Sequence, residues 1–111
     1  MTNLSQFQCV ACRGGEPLAT EAEIAAYRLE IPEWKIVEID RIKRLERVFK
    51  FKNFAEAFAF VGKAADLAEA EGHHPDISFG WGYATVSLQT KKIKGLHEND
   101  FIMAAKLDRV A

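Results

Sequence analysis

Histidine is scarce in this chain (3 of 111 residues), cysteine scarcer still (2), and the net charge is only −1. Each shortage excludes something. Both cysteines fall in Cys9-Val10-Ala11-Cys12, which is half of a zinc knuckle or a redox pair. Zinc asks for four ligands, and no second cysteine pair exists; only His73 and His74 could complete a set with Cys9 and Cys12. A thioredoxin-like motif needs a strand before it and a helix opening at it, whereas Arg13-Gly14-Gly15-Glu16-Pro17 reads as a loop. The pair is therefore expected to lie in a non-catalytic N-terminal arm, with no metal and no cofactor. Near-zero net charge gives no electrostatic ground for a nucleic-acid partner. No apolar run approaches the roughly 20 residues of a membrane span. The opening Met1-Thr2-Asn3-Leu4-Ser5-Gln6 has neither the basic start nor the apolar core of a signal peptide, so a cytoplasmic protein is expected.

Apolar residues make up 49% and charged residues 28% of the chain, the balance of a soluble globular domain. The length suits one domain over residues 1–111, which can bury roughly 65% of its unfolded surface without staples. Residues 1–19 read as irregular. Thr20 and Glu23 form a capping box for a helix over residues 21–29, stopped at Ile31-Pro32. Residues 34–39 have strand composition, residues 41–44 read as a turn, and residues 45–52 alternate. Leu45, Arg47, Phe49 and Phe51 share one face; Glu46, Val48, Lys50 and Lys52 form the wetter one. A second capping box, Asn53 with Glu56, opens a helix over residues 54–71. Its expected core stripe is Phe54, Phe58, Val61, Ala65 and Ala68, widened by Phe60, Ala64 and Leu67. Residues 77–83 and 84–90 are two strands or one long bent strand, with glycines permitting a bulge or turn. Lys91-Lys92-Ile93-Lys94-Gly95 is a basic loop. A last helix over residues 98–109 presents Phe101, Ile102, Ala105 and Leu107, with His97 where a Ser or Thr cap is usual. The order helix, strand, strand, helix, strand, strand, helix implies an α+β domain, an antiparallel sheet with helices on one face.

Chemistry concentrates at Glu69-Ala70-Glu71-Gly72-His73-His74-Pro75-Asp76, where the long helix ends at a glycine and Pro75 prevents its resumption. Two adjacent imidazoles there form an acid/base candidate, because histidine titrates near neutral pH. Histidines in a loop are also commonly solvated or core-filling, so the pair alone does not decide.

The stretches Leu45-Glu46-Arg47-Val48-Phe49-Lys50-Phe51, Ala68 to Asp76, Val86-Ser87-Leu88-Gln89-Thr90, Gly95-Leu96, Asn99-Asp100-Phe101 and Ala104-Ala105-Lys106-Leu107-Asp108 resemble the pterin-4a-carbinolamine dehydratases, also called 4a-hydroxytetrahydrobiopterin dehydratases. The likeness runs from about residue 20 to residue 108, and the arm at Cys9 to Gly15 is similar to an extension in bacterial members. The resemblance implies four antiparallel strands backed by three helices, and dimers that pair into tetramers. It implies loss of water from a 4a-hydroxytetrahydropterin to give quinonoid dihydropterin, recycling the cofactor of an aromatic amino acid hydroxylase. By the same resemblance His73 and His74 flank the pterin, Pro75 shapes the corner and Thr90 lies across the site. Glu69 takes the acidic position and Trp81 the aromatic one. Lys91 stands where the family usually has a third histidine. An ammonium of unperturbed pKa about 10.4 shuttles protons poorly at neutral pH unless desolvated. Lys91 is thus expected to act through its charge, or to replace the histidine, or to mark a pterin-binding paralogue in molybdopterin-related metabolism. A protein-binding dimerisation module is a further alternative, since animal relatives bind a homeodomain transcription factor.

Overall fold

The computed structural model describes residues 3–9 and 17–111. A short 3-10 turn at Leu4–Gln6 precedes helix α1 (Glu21–Arg28). Strands β1 (Lys35–Ile39) and β2 (Ile42–Lys50), helix α2 (Phe54–Glu71), strands β3 (Asp76–Gly80) and β4 (Tyr83–Leu88), and helix α3 (Glu98–Val110) follow. The four strands form one antiparallel sheet in the order β1-β2-β4-β3. The α+β architecture expected from the element order is the one found.

Local chemistry accounts for the boundaries. Thr20 Oγ1 accepts from the Glu23 amide at 3.1 Å and Glu23 Oε1 accepts from the Thr20 amide at 2.9 Å, the reciprocal box that opens α1. At α2 only half of the expected box forms. Asn53 Oδ1 accepts from the Glu56 amide, but the Glu56 carboxylate turns to the Lys52 amide instead. The β1–β2 turn is Asp40-Arg41, not residues 41–44, and β2 starts at Ile42. Both turn residues have positive φ (53° and 66°), the type I′ geometry whose twist matches a two-residue hairpin. Residues 76–88 are two strands, joined through Trp81 and Gly82, and Gly82 takes φ +81°.

Side chains alternate across the sheet. Leu45 and Phe49 of β2, with Ala84, Val86 and Leu88 of β4, are buried under the helices. Arg47 shares that face as expected, ion-paired to Asp108 at 2.6 Å and lying 4.2 Å over the Phe49 ring. Burial pushes the Asp108 carboxyl up, against hydrogen bonds from the Trp34 indole and Arg47 that pull it down. The face bearing Val48 and Lys50 is exposed.

The stripe that α2 buries is Ala57, Phe60, Ala64 and Ala68, with Val61 and Leu67 partly covered. Phe54, Phe58 and Ala65 are exposed, so the expected stripe is rotated from the observed one. Phe54 and Phe58 instead lean on Phe79 of β3, ring centroids 5.5 and 6.1 Å apart. Phe60 stacks between Phe49 and Phe51, and burying such a ring contributes roughly 1.5–3 kcal/mol. Helix α3 is the most enclosed element, buried from Asn99 through Ala105 and at Leu107. Within the N-terminal arm, Leu4 is fully buried against the body of the domain. Cys12 lies outside the described residues.

Candidate active site

Helix α2 ends as its sequence dictates. Gly72 adopts φ +67°, and its amide and that of His73 both donate to the Ala68 carbonyl. A left-handed residue here is strained for any side chain but almost free for glycine. The reversal throws His73 inward and leaves His74 outside, before Pro75 feeds the chain into β3.

His73 is buried and its Nε2 lies 2.7 Å from Asp100 Oδ1. Asp100, on the first turn of α3, is 0% exposed. Its other oxygen accepts from the Thr90 hydroxyl at 2.7 Å and from the His97 amide at 2.9 Å. The His97 ring caps the same helix, Nδ1 accepting from the Asn99 amide at 3.2 Å. Imidazole thus fills the Ser/Thr role, and Asp100 supplies the returning half of the box. Three donors on one carboxylate at a helix N-terminus offset the cost of burying it. Asp100 was among the residues carrying the family likeness but had no site role. The local sequence signals only its capping part, an acid three residues after the cap; its contacts to His73 and Thr90 exist only in the folded chain.

His74 is 59% exposed, and its Nε2 sits 2.5 Å from Glu69 Oε2, one turn back on α2. A carboxylate can only accept. Each histidine therefore donates its Nε2–H to its acid and turns Nδ1 away from it. Two carboxylate–imidazole pairs stand side by side, one buried and one wet.

Thr90, after β4, is buried, and its backbone pairs with Gly95 to close the basic loop. Lys91 follows on a short 3-10 turn (Lys91–Ile93). Its Nζ is 3.5 Å from Asp76 Oδ1, and the side chain is 65% exposed. Pro75 is half-buried between the histidines and β3. His73, His74, Glu69, Pro75, Thr90 and Lys91 are thus drawn to one end of the sheet. Trp81 is not: it sits on the turn beyond β3, 71% exposed. At about 3.3 Å per residue that is roughly 16 Å along the strand from Asp76. Cys9 donates its thiol to the Asn99 carbonyl at 3.7 Å. Among the described residues no three His, Cys, Asp or Glu side chains gather as a metal would require.

With that geometry in place, similarity to known proteins decides the family. The family described as pterin 4 alpha carbinolamine dehydratase matches residues 17–110. The chain belongs to this family. A provisionally named pterin-4-alpha-carbinolamine dehydratase of Syntrophotalea carbinolica is 55% identical over 97% of this chain and 96% of its own length. Another from Azoarcus sp. is 52% identical over 100% of this chain and 93% of its own. Among solved structures, a transcriptional coactivator/pterin dehydratase from Brucella melitensis is similar at a TM-score of 0.77 and 33% identity, covering 86% of this chain and 99% of that one. A pterin dehydratase-like protein identified as a RuBisCO assembly factor in the alpha-carboxysome is similar at a TM-score of 0.61 and 29% identity, over 71% of this chain and 89% of that one.

Proposed function

We propose that this protein is a hydro-lyase that dehydrates 4a-hydroxytetrahydrobiopterin or a close 4a-hydroxytetrahydropterin to the quinonoid dihydropterin, by acid/base catalysis at His73 and His74. The observation that carries the reading is the pair of imidazoles, each anchored through Nε2 by its own carboxylate. The reaction breaks the C4a–O bond. One proton must reach the departing hydroxyl oxygen and one must leave a ring nitrogen, so that water is lost with no change of oxidation state. An imidazolium supplies the first proton and a bare imidazole nitrogen takes the second; each such assist is typically worth about 10²–10⁴-fold. The exposed ring of His74 is the one able to exchange protons with solvent between turnovers. Thr90 spends its hydroxyl hydrogen on Asp100, which leaves its oxygen as an acceptor toward the pterin. Lys91 is exposed, and it faces Asp76. It acts as a fixed positive charge at the mouth of the site.

In this reading the protein serves pterin recycling for an aromatic amino acid hydroxylase and works as a homodimer or homotetramer. The exposed Phe54, Phe58 and Trp81 and the position of β3 at the sheet edge among the described strands support self-association. A two-fold pairing of that edge would also offer Trp81 a route to a neighbouring copy's histidine corner. Stopped-flow on freshly generated 4a-carbinolamine tests the function. Rate acceleration by wild-type protein is expected, and dihydropterin binding without acceleration would overturn it. That outcome would favour a second reading, a non-catalytic pterin-binding or assembly module. The lysine in place of the family's third histidine points that way, as does the likeness to a dehydratase-like assembly factor.

A further inference from the structure

We propose that Glu71 is a positioning residue for the candidate site: together with Cys9 and Lys106 it forms a clasp that sets the spacing between His73 and Asp100. Those two side chains belong to different elements, the corner after α2 and the first turn of α3. Their 2.7 Å contact therefore depends on how the two elements are held.

The clasp grips both. Glu71 stands two residues before His73. Its Oε1 accepts from the Cys9 amide at 2.8 Å, and its Oε2 accepts from Lys106 Nζ at 3.0 Å. Lys106 lies on α3 six residues after Asp100, about 9 Å along the helix axis. Cys9 completes the grip from the other side, its Sγ donating to the carbonyl of Asn99, the residue before Asp100. One residue of the arm thus touches the neighbours of both members of the buried pair. The segment leading to Cys9 is itself held: Leu4 is buried, its amide donates to Glu30 at 2.9 Å, and Arg109 donates to the Ser5 hydroxyl at 3.0 Å.

The charge states suit a permanent brace. Burial works to raise Glu71, but the Cys9 amide and the Lys106 ammonium outweigh it and hold the carboxyl below its usual range. Burial first, and the Glu71 carboxylate second, push the Cys9 thiol up to about 12, so it stays an S–H donor. The side chains of the Glu71–Lys106 pair are only 13% and 16% exposed, so solvent does little to replace a lost partner.

The test compares Glu71→Ala, Glu71→Gln, Lys106→Met and Lys106→Arg in the full chain. Nitrogen-15 NMR reads the exchange of the His73 Nε2–H with water, with His74 and the β2–β4 amides as internal references. We expect exchange at His73 to rise about tenfold or more in Glu71→Ala and Lys106→Met, with the references unchanged and near-wild-type behaviour in Lys106→Arg. Glu71→Gln keeps an acceptor for the Cys9 amide, guards against misfolding, and should fall between. In the kinetic arm kcat should drop about tenfold with KM within about twofold, as small misplacement of a reacting group can cost up to 10²-fold. Unchanged His73 exchange in both strong variants would overturn the proposal, as would equal loss of protection at His73 and the sheet amides. The kinetic arm rests on the dehydratase reading; the exchange arm does not, so an inactive wild-type protein would sink that reading and leave the clasp still decided by NMR.

Discussion

Two adjacent histidines, each with a carboxylate on Nε2, occupy opposite environments. His73 is enclosed, and its acid is shared with Thr90 and with the cap of α3. His74 and Glu69 stand in solvent, paired with each other. The difference separates architecture from reactivity. The inner pair is over-determined by the fold, so it can hold geometry to a fraction of an ångström. The outer pair is loosely held, so it can reorient and exchange protons. Under the proposed function, the inner histidine acts from a rigid wall and the outer one from a mobile edge.

Removing the shared acid should have the largest effect on this contrast. Asp100→Ala leaves the Thr90 hydroxyl, the His97 amide and the His73 Nε2–H without their acceptor inside the protein. A stability loss of about 3 kcal/mol is expected in urea unfolding, together with loss of turnover. Next comes His74→Ala, where the expected fall in kcat is about 10²-fold or more with an unchanged unfolding midpoint. If His74→Ala unfolded as readily as Asp100→Ala, the division into wall and edge would be wrong. The smallest effect concerns acid. Glu71 is held below the usual carboxylate range, so it contributes stability above the unfolded-chain pKa of about 4.3. That contribution is lost as pH falls through the lower folded value. As pH falls below about 4.3, the wild-type protein should therefore lose more stability than Glu71→Gln, as measured by urea melts at stepped pH.

The legible parts of this molecule were those written in local chemistry. Thr20 with Glu23, Gly72 before the histidines and the alternation through Leu45 and Phe49 each state their structure within a few residues. The turn at Asp40-Arg41 was hidden because it adopts left-handed geometry without the glycine or asparagine that usually betrays it. The α2 stripe was misplaced for a different reason. Phe54, Ala57, Phe58, Phe60 and Val61 ring the helix with apolar side chains, so periodicity offers two faces and only the docked sheet selects one. Asp100 was invisible as a site residue because its role needs three segments, at residues 73, 90 and 97, brought together in space. Trp81 shows the converse: the family resemblance puts it at the site, and the extended strand β3 carries it away from the histidine corner of its own chain.

One feature of the inner wall reaches beyond this protein. The acid that grips His73 also starts the last helix, so discarding it would fray the fold along with any chemistry. A descendant that gave up turnover for scaffolding would still keep that couple intact. Its presence therefore does not separate an enzyme from a scaffold; under the proposed function, the solvent-side imidazole and its acid carry that distinction.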